Sequence, residues 1–123
     1  MEEYTLINFK VFNLKTYNVE NAQNNDENKL TVANGIIVSK EKEEHDNFFI
    51  KSQVKVETTI GMAIEFDYTF FIGVKNKVSL QEIDDTFDNE KLNHVTYPYI
   101  RTFISSLCLI LGFGNINLPF IIE

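Results

Sequence analysis

The sequence has little of several residue types, and each shortage narrows the functions open to it. Its 123 residues include one cysteine, Cys108, and no tryptophan. A single cysteine excludes a disulfide within the chain, so we expect a reducing, cytoplasmic location. The two histidines, His45 and His94, have no cysteine or second histidine at ligand spacing. We therefore expect both at the surface and predict no metal site.

Cationic residues are also scarce. The chain has 11 Lys and Arg against 18 Asp and Glu, which gives a formal net charge of -7. Nucleic-acid binding depends largely on clustered Lys and Arg, so this balance disfavours DNA, RNA and anionic membranes as partners. An acidic surface instead suits solubility or a positively charged polypeptide partner.

Long apolar runs and the usual catalytic motifs are missing as well. The longest uninterrupted apolar run, Leu107 to Leu111, is far shorter than the ~20 residues that span a bilayer. The N-terminus, MEEYTLINFK, lacks the basic start of a secretion signal. No phosphate-cradling glycine pattern and no acid, base and nucleophile constellation occurs. We therefore predict no enzyme activity, no catalytic residue and no cofactor.

Aromatic and β-branched residues are plentiful instead, and in the N-terminal part of the chain they predict strands. The segment from Tyr4 to Tyr17 predicts a first strand that carries apolar side chains on both faces. The segment from Leu30 to Lys40 predicts a second strand, whose Asn34-Gly35 pair is either a bulge or a turn. Between them, Asn18 to Asn28 predicts a polar, mobile loop.

The clearest alternation predicts a hairpin between Phe48 and Val74, with Gly61 turning the chain. Apolar residues of one parity are Phe48, Ile50, Val54, Val56 and Ile60, followed by Met62, Ile64, Phe66, Tyr68, Phe70 and Ile72. The other parity is mostly polar. This pattern is typical of a sheet with one dry face and one wet face.

The next segment, Ser79 to Asn93, predicts a loop or a short helix capped by Ser79. Its acidic residues form a cluster that we interpret as a solvated segment rather than a cation site. They are Glu82, Asp84, Asp85, Asp88 and Glu90.

The C-terminal part predicts one long helix. Thr96 is its expected cap, Pro98 suits its first turn, and Gly112 is expected to end it. Apolar side chains recur at helical spacing at Ile100, Phe103, Ile104, Leu107 and Leu111. Further apolar residues at Tyr99 and from Cys108 to Ile110 widen this face, so one sheet cannot cover it. We therefore predict a homo-oligomer in which helices of separate chains pack together.

The residues of this helix resemble the SecB export-chaperone family. The resemblance rests on Tyr97-Pro98-Tyr99-Ile100-Arg101, Ile104-Ser105-Ser106-Leu107, Gly112-Phe113 and Ile116-Asn117-Leu118, which keep the family's order and spacing. It implies an α+β fold in which a four-stranded antiparallel sheet is followed by a long C-terminal helix packed on it. It also implies assembly as a dimer or a dimer of dimers. Residues 1–123 are then a single domain without the family's usual second C-terminal helix.

In function, the resemblance implies an ATP-independent holdase that binds unfolded or precursor polypeptides in apolar grooves, in protein export among other settings. The alternative is a dedicated partner protein, such as an antitoxin-specific chaperone of a toxin–antitoxin system or a phage-encoded adaptor. The family's acidic positions for docking the SecA motor correspond to about Asn13 and Tyr17, which are not acidic. Glu65 and Asp67 keep part of an acidic patch and are the candidate partner-docking residues.

Candidate client contacts are aromatic. Phe71 breaks the polar parity of its strand and, with Phe49, predicts exposed aromatic surface; Tyr97 and Tyr99 at the helix start are further candidates. For each, packing is the simpler alternative, and we expect both tyrosine hydroxyls to hydrogen-bond at the sheet edge. The residues assigned to the oligomer interface are Phe66, Tyr68, Phe70, Phe103, Leu107 and Ile110. For Phe66, Tyr68 and Phe70, ordinary core is the alternative.

Overall fold

A computed structural model describes residues 3–18 and 28–114, and it shows a four-stranded antiparallel sheet with helices on one face. The elements are β1 (Tyr4–Asn18), β2 (Lys29–Ile37), β3 (Glu44–Glu57), β4 (Met62–Ser79), α1 (Leu80–Thr86) and α2 (Asn89–Ile110). This confirms the predicted fold class. The predicted mobile loop lies almost entirely outside the described residues, as does the Ile116-Asn117-Leu118 part of the C-terminal motif.

The strand order is β1-β4-β3-β2, so β1 and β2 are the edges of the sheet. The predicted hairpin is confirmed as β3 and β4. Its turn uses Gly61 at a φ of 86°, which favours glycine, and the Thr58 hydroxyl both donates to and accepts from the Met62 backbone. Ile60 lies exposed in this turn, whereas the alternation placed it on the dry face.

Strand β2 runs straight through Asn34 and Gly35, so neither the predicted bulge nor the predicted turn occurs there. The side chain of Asn34 explains the regular pairing. Its Oδ1 accepts a hydrogen bond from Ser52 Oγ at 2.5 Å, and its Nδ2 donates to Asn93 Oδ1 of α2 at 2.8 Å. An asparagine satisfied in this way has no need of a local turn.

Strand β1 is irregular at two places. Its pairing with β4 shifts between Leu6 and Asn8 and again between Phe12 and Lys15, where Asn13 adopts a φ of 56°. Each shift changes which side chains point to which face. Both faces of β1 therefore carry apolar residues, as the sequence predicts.

The core lies between the sheet and α2. The fully buried side chains of β3 and β4 on this dry face include Phe48, Ile50, Val56, Ile64, Phe70 and Ile72, and those of α2 include Ile100, Ile104 and Cys108. Cys108 is therefore the small core residue that its apolar surroundings suggest. Within the described ranges, neither helix combines the length and the apolarity that crossing a bilayer requires.

Helix α2 begins at Asn89, well before the predicted start, so the prediction that Thr96 caps it is wrong. The Asp88 side chain is the cap and accepts from the Lys91 N–H at 2.8 Å. Thr96 is buried inside the helix, where its hydroxyl donates to the Leu92 carbonyl at 2.9 Å. Pro98 also lies inside the helix.

The two other predicted helix boundaries are confirmed. Ser79 caps the short helix α1 by accepting from the Glu82 N–H at 3.3 Å. Gly112, at a φ of 85°, ends α2 in a Schellman motif. In this motif the Phe113 N–H donates to the Cys108 carbonyl at 2.9 Å and the Gly112 N–H donates to the Leu109 carbonyl at 3.2 Å.

Candidate polypeptide-binding surfaces

The face of the sheet turned away from α2, here the outer face, carries side chains in rows that cross all four strands. The strand register places Asn8, Phe71, Phe49 and Ile37 next to one another in one row, which we call the aromatic row. Side chains that face each other across strands touch, so three of these four form one apolar strip. The strip lies on the face that the alternation predicts to be wet.

Phe49 and Phe71 are the centre of the aromatic row. Their rings stack with centroids 4.9 Å apart, and Phe49 remains 41% exposed. Ile37 is 49% exposed at the β2 end of the row. Beside Phe71, the Ile7 side chain covers Gly73, where an added Cβ would lie only 2.7 Å from Ile7 Cδ1. The predicted aromatic surface is thus present, with Phe49 exposed and Phe71 only partly exposed.

The next row along the sheet consists of Lys10, Thr69, Lys51 and Gly35, and we call it the lysine row. Thr69 is small, and it lies at the floor of two shallow depressions of about 370 and 210 Å³. Both depressions are lined by Phe12, Phe49 and Thr69. Phe12, on the far side of the lysine row, therefore completes a trough with the aromatic row as its other wall.

The two candidate docking carboxylates lie on the same outer face, but each is already engaged. Asp67 accepts a hydrogen bond from Asn13 Nδ2 at 2.8 Å and lies 3.9 Å from Lys51 Nζ. Glu65 is paired in register with Lys15 and interacts with Tyr17. Loss of hydration, followed by the hydrogen bond to Glu65, raises the pKa of the Tyr17 hydroxyl.

A second apolar surface lies on the helical side and is here called the helix flank. It consists of Tyr99, Leu109 and Ile110 of α2 with Phe9 of β1. The Phe9 and Tyr99 rings are 5.4 Å apart, and Ile110 is 80% exposed. Leu111 and Phe113 continue this exposed apolar surface at the helix end.

The residues predicted for an oligomer interface differ in how deeply they are buried. Phe66, Tyr68 and Phe70 are buried within the chain itself, where Phe103 packs on Phe66 with centroids 4.9 Å apart. In the single chain they therefore occupy the core, which is the alternative that the sequence left open. Phe103 and Leu107 are partly buried against this core, and Ile110 is fully on the surface.

The two candidate tyrosines at the helix differ. Tyr99 is 38% exposed, and its ring contacts Phe9 and Phe70. Tyr97 is partly buried, and its hydroxyl has no hydrogen-bond partner among the described residues, contrary to the expected bond at the sheet edge. Burial raises the pKa of this hydroxyl, an effect that the charge of Arg101 opposes.

Chemically reactive groups are few in the described ranges. The prediction of a surface position is wrong for His45, which is buried where β3 begins beside Val78, and right for His94, which is exposed 3.8 Å from Glu90. Burial raises the pKa of the Cys108 thiol. No group of three His, Cys, Asp or Glu residues within 3–18 and 28–114 is arranged to hold a metal ion.

Sequence reasoning missed Phe12, Ile37 and the two lysines of the lysine row. Phe12 joins the trough because β1 pairs with β4 in unbroken register from Asn8 to Phe12, between its two register shifts, and no residue pattern announces those shifts. Ile36 and Ile37 are both apolar, so parity alone does not say which one faces outward. Phe71 does indicate this surface in the sequence, because it is an aromatic residue at a position where the alternation of β4 predicts a polar one.

The described four-stranded sheet and the long helix that follows it form an α+β fold that matches the SecB-like fold. The solved structure that supports this is the Mycobacterium tuberculosis SecB-like chaperone Rv1957, in complex with a ChAD peptide from the HigA1 antitoxin. The structural similarity covers 96% of this chain and 89% of the Rv1957 chain, at 10% sequence identity and a TM-score of 0.72.

A protein of unknown function from Streptococcus agalactiae is also similar, at 10% identity and a TM-score of 0.49, over 97% of this chain and 94% of its own. Neither a protein-family model nor a curated protein sequence matches the chain. The likeness is therefore one of fold, and the function follows from the surfaces.

Proposed function

We propose that this protein is an ATP-independent holdase that binds unfolded or precursor polypeptides and keeps them from aggregating. The observation that carries the proposal is the aromatic row, whose stacked Phe49 and Phe71 rings lie on the outer face while Phe48 and Phe70 fill the core. Phe49 and Phe71 therefore lie outside the core, and an exposed apolar patch of this kind is typical of a surface that binds another chain. The SecB-like fold supports the same reading.

The trough suits a client without fixed sequence. Unfolded segments share unburied apolar side chains, and each such side chain that enters the trough loses contact with water, which is worth about 1.5–3 kcal/mol for a fully buried Leu or Phe. The depressions are shallow and open to solvent, so side chains of different shape fit them. Several weak contacts of this kind hold a chain reversibly.

We also propose that the helix flank is covered by a second copy of the chain, as a homodimer or a dimer of dimers in the cytoplasm. Tyr99, Leu109 and Ile110 are large apolar residues left exposed on one helix. Docking to SecA through Glu65 and Asp67 is less favoured, because Asn13, Lys51 and Tyr17 already engage these carboxylates. A role in protein export depends on that docking.

Suppression of aggregation tests the holdase directly. A chemically unfolded reporter is diluted into buffer without nucleotide, with and without the protein, and light scattering is followed. We expect suppression at equimolar protein or below. A double variant, Phe49→Ser with Phe71→Ser, should lose most of it, whereas Tyr17→Ser, which removes an exposed aromatic ring elsewhere on the outer face, should retain it. No suppression by the unmodified protein at several-fold excess contradicts the proposal.

The second candidate is a chaperone dedicated to one partner, such as an antitoxin. It is favoured by one observation: the SecB-like neighbour was solved with a peptide from an antitoxin. Affinity purification with mass spectrometry separates the candidates. Many unrelated precursors bound to the unmodified protein, and lost from the Phe49→Ser, Phe71→Ser variant, support the holdase. One dominant partner supports the dedicated chaperone.

A further inference from the structure

The part of the outer face that contains the trough is positively charged although the chain is acidic. Five successive rows of the outer face, from the aromatic row to the row that contains Tyr17 and Lys29, carry five lysines and three carboxylates. Their net charge is +2, within a chain whose formal net charge is -7. The lysines are Lys10, Lys15, Lys29, Lys51 and Lys55, and the carboxylates are Glu57, Glu65 and Asp67. The trough itself has Lys10 and Lys51 on its floor row and only Asp67 on its wall.

Both lysines of the floor row are available to a ligand. Lys10 makes no ion pair with any residue in the described ranges. Lys51 lies at the long distance of 3.9 Å from Asp67, which keeps its shorter hydrogen bond from Asn13. Lys51 can therefore turn toward another carboxylate without leaving Asp67 unpaired.

We propose that the trough selects extended peptide segments that present carboxylate and large apolar side chains in turn on the same face. This inference rests on the proposed holdase function and assigns its preferred client chemistry. The apolar side chains enter the depressions beside Phe12 and Phe49, and the carboxylates pair with Lys10 and Lys51. These two lysines are two strand spacings apart, roughly 10 Å, and side chains on one face of an extended peptide recur about every 7 Å. Two carboxylates four residues apart, with one apolar side chain midway between them on the same face, therefore come within reach of the two flexible lysine side chains.

The chemistry of the bound peptide follows from charge complementarity with the lysines of the trough. A peptide rich in Lys or Arg meets Lys10 and Lys51 in the trough, and the one wall carboxylate, Asp67, is held by Asn13. An acidic, apolar peptide instead gains two exposed ion pairs in addition to apolar burial. The net charge of the whole chain points to a basic partner, but the local charge of the trough opposes that choice.

Three fluorescently labelled peptides of about nine residues test the preference, since an extended chain of that length exceeds the width of the sheet. At the odd positions of each peptide, which share one face, Leu or Phe alternates with one other residue type, which is Glu, Gln or Lys, and the even positions are Ser. We expect the Glu peptide to bind the full chain roughly threefold to tenfold tighter than the Gln peptide at low salt, and the Lys peptide to bind weakest. Added salt should remove this difference.

The variant Lys10→Gln with Lys51→Gln should bind the Glu and Gln peptides equally and retain the affinity of the unmodified protein for the Gln peptide. Lys75→Gln with Lys77→Gln, which removes two exposed lysines of β4 outside the trough, should leave the preference intact. Equal binding of all three peptides, tightest binding of the Lys peptide, or a preference unaffected by Lys10→Gln with Lys51→Gln overturns the inference while the holdase stands. If no peptide binds and the reporter still aggregates, both fail.

Discussion

Phe48 and Phe49 are neighbours in β3 with opposite roles. Phe48 is 1% exposed and packs edge-on against Phe87, whereas Phe49 stacks on Phe71 at the outer face. We predict that Phe48→Ala lowers the free energy of unfolding by about 3–5 kcal/mol. Phe49→Ser should lower it by about 1 kcal/mol, the order of one lost aromatic pair. Urea unfolding followed by circular dichroism measures both.

The holdase assay should show a defect for Phe49→Ser that its small loss of stability does not explain. Phe49→Ser should lose part of the suppression of reporter aggregation at a temperature where it is fully folded. A Phe49→Ser protein that is as unstable as Phe48→Ala, or one that suppresses aggregation normally, contradicts the division of roles between the two faces.

Cys108 gives a prediction for pH. Burial raises the pKa of its thiol in the folded chain above the ordinary value of 9.0. Its contribution to stability is thus fully present below pH 9.0 and is lost as the pH rises through the higher folded pKa. Between about pH 8 and about pH 10, the free energy of unfolding should fall more for the unmodified protein than for Cys108→Ala. An equal fall in both proteins is the contradicting result, since Tyr68 and Tyr97 titrate in each.

At the scale of elements, the start of α2 depends on a residue outside the motif that suggested the helix. Asp88 caps α2, so Asp88→Ala should lower the free energy of unfolding by about 1 kcal/mol. Asp84→Ala removes an exposed carboxylate that caps no helix and is the matched control, with an expected change within about 0.5 kcal/mol. Equal effects of the two changes in thermal or urea unfolding contradict the assigned helix start.

The strands, their hairpin and the end of α2 follow from the sequence because each has a local cause: alternation in β3 and β4, and glycine at a positive φ at Gly61 and Gly112. The start of α2 does not, because Pro98 suits a first turn equally well and only the tertiary packing of Thr96 and Leu92 shows that the helix continues. The trough was only half predictable. Phe49 and Phe71 break a parity. The register shifts on either side of the Asn8–Phe12 stretch, and the cross-strand register that aligns Lys10 with Lys51, leave no mark in the residue pattern.

For the whole molecule, the helix flank predicts self-association. We expect light scattering to give a mass that is a multiple of 14.3 kDa. Ile110→Glu should shift the mass toward a single chain, because it places a charge on the exposed flank without disturbing the core. Asn76→Glu, which adds the same charge at an exposed position of β4 outside the helix flank, should leave the assembly intact. A single-chain mass for the unmodified protein at high concentration contradicts this prediction.

The central claim is that unfolded polypeptide binds at the outer face, and isoleucine methyl NMR during titration with an unfolded reporter tests it most directly. Ile37 reports on the aromatic row, Ile110 on the helix flank, and Ile104, which is fully buried, on the core. We predict that the Ile37 methyl signals shift or broaden saturably, while those of Ile104 stay unchanged. Unchanged Ile37 signals while the reporter is held soluble would contradict the claim.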